Sequence, residues 1–400
     1  MNVNGAAPGS PFAALWPLDS GVDYLNHGSF GACPRALLEH QWQLRLELER
    51  EPVDFLWRHW GPRLDAARAA LAAFVCADAD DLAFVTNATT GINVVARALE
   101  LRPGDEILTT DHAYAASRKA FEFVSRGRGA RVVAAAVPFP LESADQILAP
   151  LLASVSARTR LALLDHVTSP TGLVFPIERI VAELRERGVE TLVDGAHAPG
   201  MLPLDLRRIG AAYYAGNAHK WLCAPKGAAF LHVRRDLQGP LHPLVISHGY
   251  EPGREGRRFR AEFDWTGTAD PTAWLTIPEC IRYLGGLLPG GWSELMARNR
   301  ALALRARTLL CDALSVPAPC PESLLGSLAS LPLPAPAPDA AAARLDHEGV
   351  MNWLRERGVE GWLFPWPGPA GKLVRASAQL YNHEEQYRRL GRLLREALGG

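Results

Sequence analysis

Residues Thr191–Trp221 read TLVDGAHAPG MLPLDLRRIG AAYYAGNAHK W, and within them two short apolar runs, Thr191–Val193 and Ala211–Gly216, each stop at polar residues. Runs of this length, bounded by Asp, Gly and Pro, predict buried strands. In an open α/β sheet, ligands collect outside the carboxyl ends of the strands. Asp194 and His197 after the first run, and Asn217, His219 and Lys220 after the second, are therefore the side chains to weigh for chemistry.

The same pattern extends in both directions. Further strands are predicted at Leu82–Thr86, Glu106–Thr109, Arg131–Val137, Leu161–His166 and Ala228–Val233. Between them, Arg63–Phe74, Gly91–Ala98, Ala115–Ser125, Ala144–Val155 and Ile177–Arg187 carry apolar residues at helical spacing. Strands alternating with helices predict a mostly parallel sheet of seven strands, covered on both faces. After residue 275 the character changes. A helical run is expected from Ala273 through Leu314, and the proline-rich Leu331–Pro338 reads as an exposed connection of restricted flexibility. The expected division is a large domain over residues 33–275 and a smaller α/β domain made of residues 1–32 with 276–400.

Composition narrows the function classes. The chain has 400 residues and a formal charge of -1, which offers no basic stripe for nucleic acid and points to a small-molecule partner. Its cysteines, Cys33, Cys76, Cys223, Cys280, Cys311 and Cys320, show neither CxxC nor Cys/His ligand spacing, so neither a disulfide framework nor a metal site is expected. No leader pattern or membrane-length apolar run is seen, and a cytoplasmic location is the expectation. Of 42 basic residues only Lys119, Lys220, Lys226 and Lys372 are lysines, so lysine-dependent chemistry has few candidates.

Lys220 stands out among them. At the end of an apolar strand, desolvation lowers an amine's pKa and favours the neutral form that attacks an aldehyde. Lys119 reads as the polar face of a helix, Lys226 lies in a Pro-Lys-Gly turn, and Lys372 follows Gly-Pro-Ala-Gly. Asp194, held beside small residues, can stay ionised against a bound cation such as a protonated pyridine nitrogen. Thr86-Asn87-Ala88-Thr89-Thr90-Gly91 opens a helix with free N–H groups and hydroxyls, which suits a phosphate. Taken singly, each has a plain alternative: a snorkelling lysine, a capping Asp, an ordinary helix cap. Together they describe a phosphate cradle, a pyridinium partner and an imine-forming lysine at the ends of separate strands.

The chain resembles the class V aminotransferase superfamily of fold-type I enzymes, which depend on pyridoxal 5'-phosphate (PLP), and within it the isopenicillin N epimerase-like group. The resemblance covers nearly the whole chain and is carried by Tyr24–Gly31, Asn87–Asn93, Asp111–Tyr114, Asp165–Gly172, Asp194–Ala198, Asn217–Trp221, Asp264–Thr268 and Arg375–Asn382. It implies that Ala88 and Thr89 bind the cofactor phosphate, with Asn217 and His219 approaching it. His112 then stacks on the pyridine ring, Ser169 and His197 reach the ring hydroxyl, and Asp194 holds the ring nitrogen. Thr268 sits in the loop that, in similar enzymes, reaches the phosphate of the neighbouring subunit, which makes a homodimer the expectation. Arg375 corresponds to the clamp for a substrate α-carboxylate, a task suited to a planar two-pronged donor. Asn26, His27 and Arg58 resemble further positions near the substrate.

Such a site acts at the α-carbon of an amino acid, with Lys220 as the base. Epimerisation is the leading expectation, with Tyr114 as a second acid; β-elimination, as in a C-S lyase, and transamination are the alternatives. A cysteine desulfurase needs a thiol shortly before the arginine clamp, and Gly361–Lys372 has none. A nicotinamide-dependent dehydrogenase is disfavoured because no GxGxxG joins a strand to a helix. A non-catalytic PLP-binding protein is the remaining rival, and the presence of both Lys220 and Asp194 argues against it.

Overall fold

The computed structural model of the protein describes residues 9–251 and 258–400; the first eight residues of the N-terminal segment lie outside them. Strands, numbered in chain order, are β1 (Asp23–Tyr24), β2 (Leu82–Val85), β3 (Glu106–Thr110), β4 (Arg131–Ala135), β5 (Thr159–Asp165), β6 (Glu190–Gly195), β7 (Tyr213–Asn217), β8 (Ala229–Val233), β9 (Leu328–Pro332), β10 (Val359–Glu360), β11 (Trp362–Pro365) and β12 (Lys372–Ser377). Among the described residues, seven of them form one sheet in the order β2-β8-β7-β6-β5-β3-β4. β8 alone runs opposite to the other six.

The inner strands of this sheet are buried on both faces and largely apolar, without alternation, whereas the edge strand β4 is mostly exposed or half-buried. Leu161 and Leu163 of β5 face Ile92, Val95 and Phe121 of the helices Ala88–Ala98 and Ala115–Gly127. Ala162 and Leu164, one step on, face the cluster with Leu64, Leu71, Ile180 and Leu184 from Trp60–Phe74 and Ile177–Glu186. The period of two delivers successive side chains to opposite layers. The seven strands and the helices between them stand where periodicity predicts, with ends moved by one to three residues.

Two expectations fail, the second in part. The helical run from Ala273 is three helices, Thr272–Leu275, Ile277–Gly285 and Gly291–Leu314. Pro278 lies at the start of the second, where its missing N–H costs nothing, and Pro289-Gly290-Gly291 stops propagation before the third. The proline-rich stretch is only in its second half a partly exposed connection; its first half belongs to the core. Leu331 and Leu333 are buried, and β9 pairs antiparallel with β12 up to Pro332↔Leu373. Because β9 is the edge of the sheet β11-β12-β9, a proline without N–H is tolerated there. The two-residue strand β1 pairs in parallel with β10, tying the N-terminal segment to the C-terminal part of the chain.

Candidate active site

The carboxyl ends of β5, β6 and β7 meet the first turn of Ala88–Ala98 around a cavity of about 180 Å³. Asp165 ends β5 opposite Asp194 of β6, and Lys220 follows β7, so all three come to one place because the strands are parallel neighbours. Asp194 accepts from Ser117 Oγ at 2.7 Å and from Ala196 N–H at 3.1 Å. Burial pushes its carboxyl up while these donors pull it down, so a cation in the cavity would decide its charge. Gly195 admits this arrangement, since a Cβ there would collide with the Tyr214 ring.

Lys220 Nζ lies 3.2 Å from His197 Nε2. Trp221 Nε1–H can only donate, and it points at His197 Nδ1 from 3.4 Å, which leaves the His197 proton on Nε2 facing the amine. A neutral amine accepts that proton in a hydrogen bond; an ammonium cannot. The same preference appears in the Lys220 pKa, which burial first and the Arg375 charge second lower to about 8, against the pull of Asp194 and Asp165.

Around the helix start, Asn217 Oδ1 accepts from Ala88 N–H at 2.8 Å and Asn87 Oδ1 from Thr90 N–H at 2.8 Å; the Thr89 N–H between them is engaged by neither. His219 Nδ1 donates to the Ala228 carbonyl at 2.9 Å, and burial lowers its pKa to about 4. For His219 Nε2 to donate to an anion, the ring must take up a second proton, which the anion itself would favour.

Arg375 lies behind the cavity wall, against Ser169 and Ser29. It is 1% exposed; its NH1 donates to Ser169 O (2.6 Å) and Oγ (3.2 Å), and its NH2 to Ser29 Oγ (2.7 Å) and Asn26 Oδ1 (3.2 Å). All these partners are neutral, Nε has none, and no carboxylate pairs with the guanidinium among the described residues. Burial accordingly lowers its pKa to about 10. Among the described residues this charge is therefore left without a counter-ion.

The structure thus gathers Lys220, Tyr114, Ala88, Thr89, Ser169, Asp194, His197, Asn217 and His219 on one cavity, with Arg375 and Asn26 directly behind Ser169 and Ser29. It separates four others from it. His112 is fully buried, with Nδ1 against Thr171 Oγ1 (2.9 Å) and Nε2 against Val137 O (3.0 Å), so its ring is satisfied inside the core. Tyr114, two residues on, stands on the wall instead, its N–H held by Asp165 Oδ2 at 3.1 Å. His27 is buried behind Lys220, Arg58 faces solvent paired with Asp54, and Thr268 is exposed outside the cavity. Asp165 went unrecognised as a site residue from sequence, although it ends an apolar strand as Asp194 does. Ser117, inside a helix, carries no sequence signal.

The family description Aminotransferase class-V matches residues 59–390. Isopenicillin N epimerase of Amycolatopsis lactamdurans is 38% identical over 95% of this chain and 96% of its own length. Putative L-cysteine desulfhydrase 1 of Oryza sativa subsp. japonica is 35% identical over 79% of this chain and 68% of its own. Among solved structures, a mutant of C-DES with glycine covalently linked to its PLP cofactor superposes with a TM-score of 0.76 at 24% identity, covering 94% of this chain and 97% of that one.

Proposed function

Given that the chain belongs to the class V aminotransferase family and is a PLP-dependent enzyme of fold-type I, we propose that it epimerises an amino acid at its α-carbon. The donor set fits the cofactor. Asp194 suits a pyridinium, the first turn of Ala88–Ala98 with Asn217 suits a phosphate, and Lys220 suits an aldehyde. When bound, PLP draws electrons from a bond at the α-carbon. The chain's own groups do the rest: Arg375 holds the α-carboxylate, and Lys220 Nζ removes the α-proton. The cover over the ring is assigned to Tyr114 rather than His112.

The observation that carries epimerisation is a second proton-bearing group on the same cavity. Tyr114 lines it with Lys220 and is 42% exposed. Inversion needs one group to take the α-proton and another to return one to the opposite face. The desulfhydrase relatives favour β-elimination as the second reading, because the same pair can release a β-substituent.

Incubation of the holoenzyme in D₂O with isopenicillin N and the common L-amino acids separates the two. Epimerisation predicts α-deuterated product of both configurations with the side chain intact. Keto acid and a released β-group would transfer the reading to a lyase. Tyr114→Phe is expected to keep α-proton exchange and lose inversion.

A homodimer belongs to the same proposal. Leu38, Trp42 and Leu46 form an exposed apolar stripe on the helix Arg35–Arg50, with Val53 and Trp57 beyond it. Arg45 of that helix pairs with Asp270 at 2.7 Å, which places the Thr268 loop beside the stripe. A second copy covering the stripe brings that loop to a neighbour. A solution mass of one chain would remove this part of the reading.

A further inference from the structure

The ring of His27 was expected near the substrate, yet it lies on the far side of the lysine. It is wholly buried, and its contacts define one protonation state. Ala32 N–H can only donate, and it points at Nδ1 from 3.3 Å; the Tyr381 hydroxyl reaches the same atom at 2.9 Å. Nδ1 therefore carries a lone pair. The Lys220 carbonyl can only accept, and it lies 3.0 Å from Nε2, so the single ring proton sits on Nε2. One contact opposes this. Gln379 Oε1 accepts from Asn299 Nδ2 and Leu380 N–H, which turns Gln379 Nε2 toward His27 Nε2 at 3.4 Å. Reversing the tautomer would satisfy Gln379 and break the bond to Lys220 together with that from Ala32. Burial holds the ring neutral, with a pKa lowered to about 3.

The surrounding chain presses this ring onto the lysine loop. Gly31 has φ +50°, and a Cβ there would collide with the His219 carbonyl and Lys220 Cα. Lys226 Nζ donates to Gly31 O from the other side of the loop. Cys223, three residues after Lys220, is held at φ +53°, where an L side chain is strained, with its thiol 3.7 Å from His27 Nε2. Backbone held against its preference needs surroundings that determine it from several sides. His27, Gly31 and Lys226 are such surroundings.

We propose that His27, as its neutral Nε2–H tautomer, is the positioning residue of Lys220: it grips the lysine's own carbonyl from behind and so sets where Nζ emerges into the cavity. It does not line the cavity. This rests on Lys220 being the lysine that takes the cofactor, its Nζ bonding to the aldehyde carbon with loss of one water.

The experiment follows covalent capture of PLP by apoprotein, read as absorbance and as cofactor fixed to the chain by borohydride, for wild type, Lys220→Ala, His27→Gln and His27→Leu, with melting temperatures. Leucine removes the donor and is expected to slow capture about tenfold, because a small displacement of a reacting atom costs rate steeply. Glutamine retains an N–H for the Lys220 carbonyl and is expected to stay within about threefold of wild type. A purely structural role would lower both melting temperatures without separating their capture rates. Folded His27→Leu capturing at the wild-type rate overturns the proposal. Wild type that fixes no cofactor, or Lys220→Ala that still does, overturns the assignment of Lys220 instead. If His27→Leu does not fold, ¹⁵N-histidine spectra of wild type, assigned against His27→Gln, decide: a lone pair on Nδ1 and a proton on Nε2 are expected, and a protonated Nδ1 overturns the proposal.

Discussion

Lys220→Ala is expected to lose at least ~10³-fold in turnover, since the change removes the covalent anchor and the proton-transferring base together. The mutant should still take up PLP reversibly through Asp194 and the first turn of Ala88–Ala98, but borohydride should fix none of it to the chain. The pH dependence of wild type makes the same point in another way. Because burial and Arg375 bring the amine to about 8, it is protonated below that pH and neutral above it. Capture of PLP by apoprotein should therefore fall as pH drops through about 8 and level off above. A rate that keeps climbing toward 10.5, where an unperturbed lysine titrates, would show that Lys220 is not desolvated in the way its surroundings require. Normal turnover in Lys220→Ala would refute its catalytic role.

The second large effect concerns Arg375. Its removal as Arg375→Met should reduce kcat/KM by about 10²–10⁴-fold, on the scale of two charge-assisted hydrogen bonds at roughly 1.5–3 kcal/mol each. Most of the loss should appear in KM, because the carboxylate is held alike before and during reaction. Arg375→Lys should recover little, since a point charge replaces a planar fork. Stability separates function from structure here. The guanidinium is buried with neutral partners alone and an unpaired Nε; burying it costs free energy that an apolar side chain of similar size does not. Arg375→Met should therefore melt at or above the wild-type temperature. A collapse in melting temperature would mean that the arginine serves the fold and not a ligand.

The positions that the chain order brought to light were those whose role follows from a strand end. Lys220 and Asp194 stop apolar runs, and a parallel sheet places consecutive strand ends side by side. The same logic applies to Asp165, but its partnership with Asp194 is a matter of register between β5 and β6. His112 and Tyr114 show the limit more sharply. Both sit in one short turn, and residue type favours an imidazole over a phenol as a ring cover no more than the reverse. The proposal takes Tyr114 because it lines the cavity, whereas Thr171 and Val137 engage both nitrogens of the fully buried His112.

Amphipathic period, strand length and the setting of one lysine among four were enough, by themselves, to determine an α/β sheet and to single out Lys220 and Asp194, at the ends of its strands, as the candidates for chemistry. Those properties are local, because a side chain's exposure alternates with the pitch of its own backbone. The fate of Leu331–Pro338, the backing of Lys220 by His27 and the isolation of Arg375 from any carboxylate among the described residues were decided only by tertiary structure. Each depends on groups far apart in the chain, such as Leu331 with Val374 and His27 with Lys220. Burial and hydrogen-bond partnership at such distances are consequences of packing, and local pattern carries no record of them.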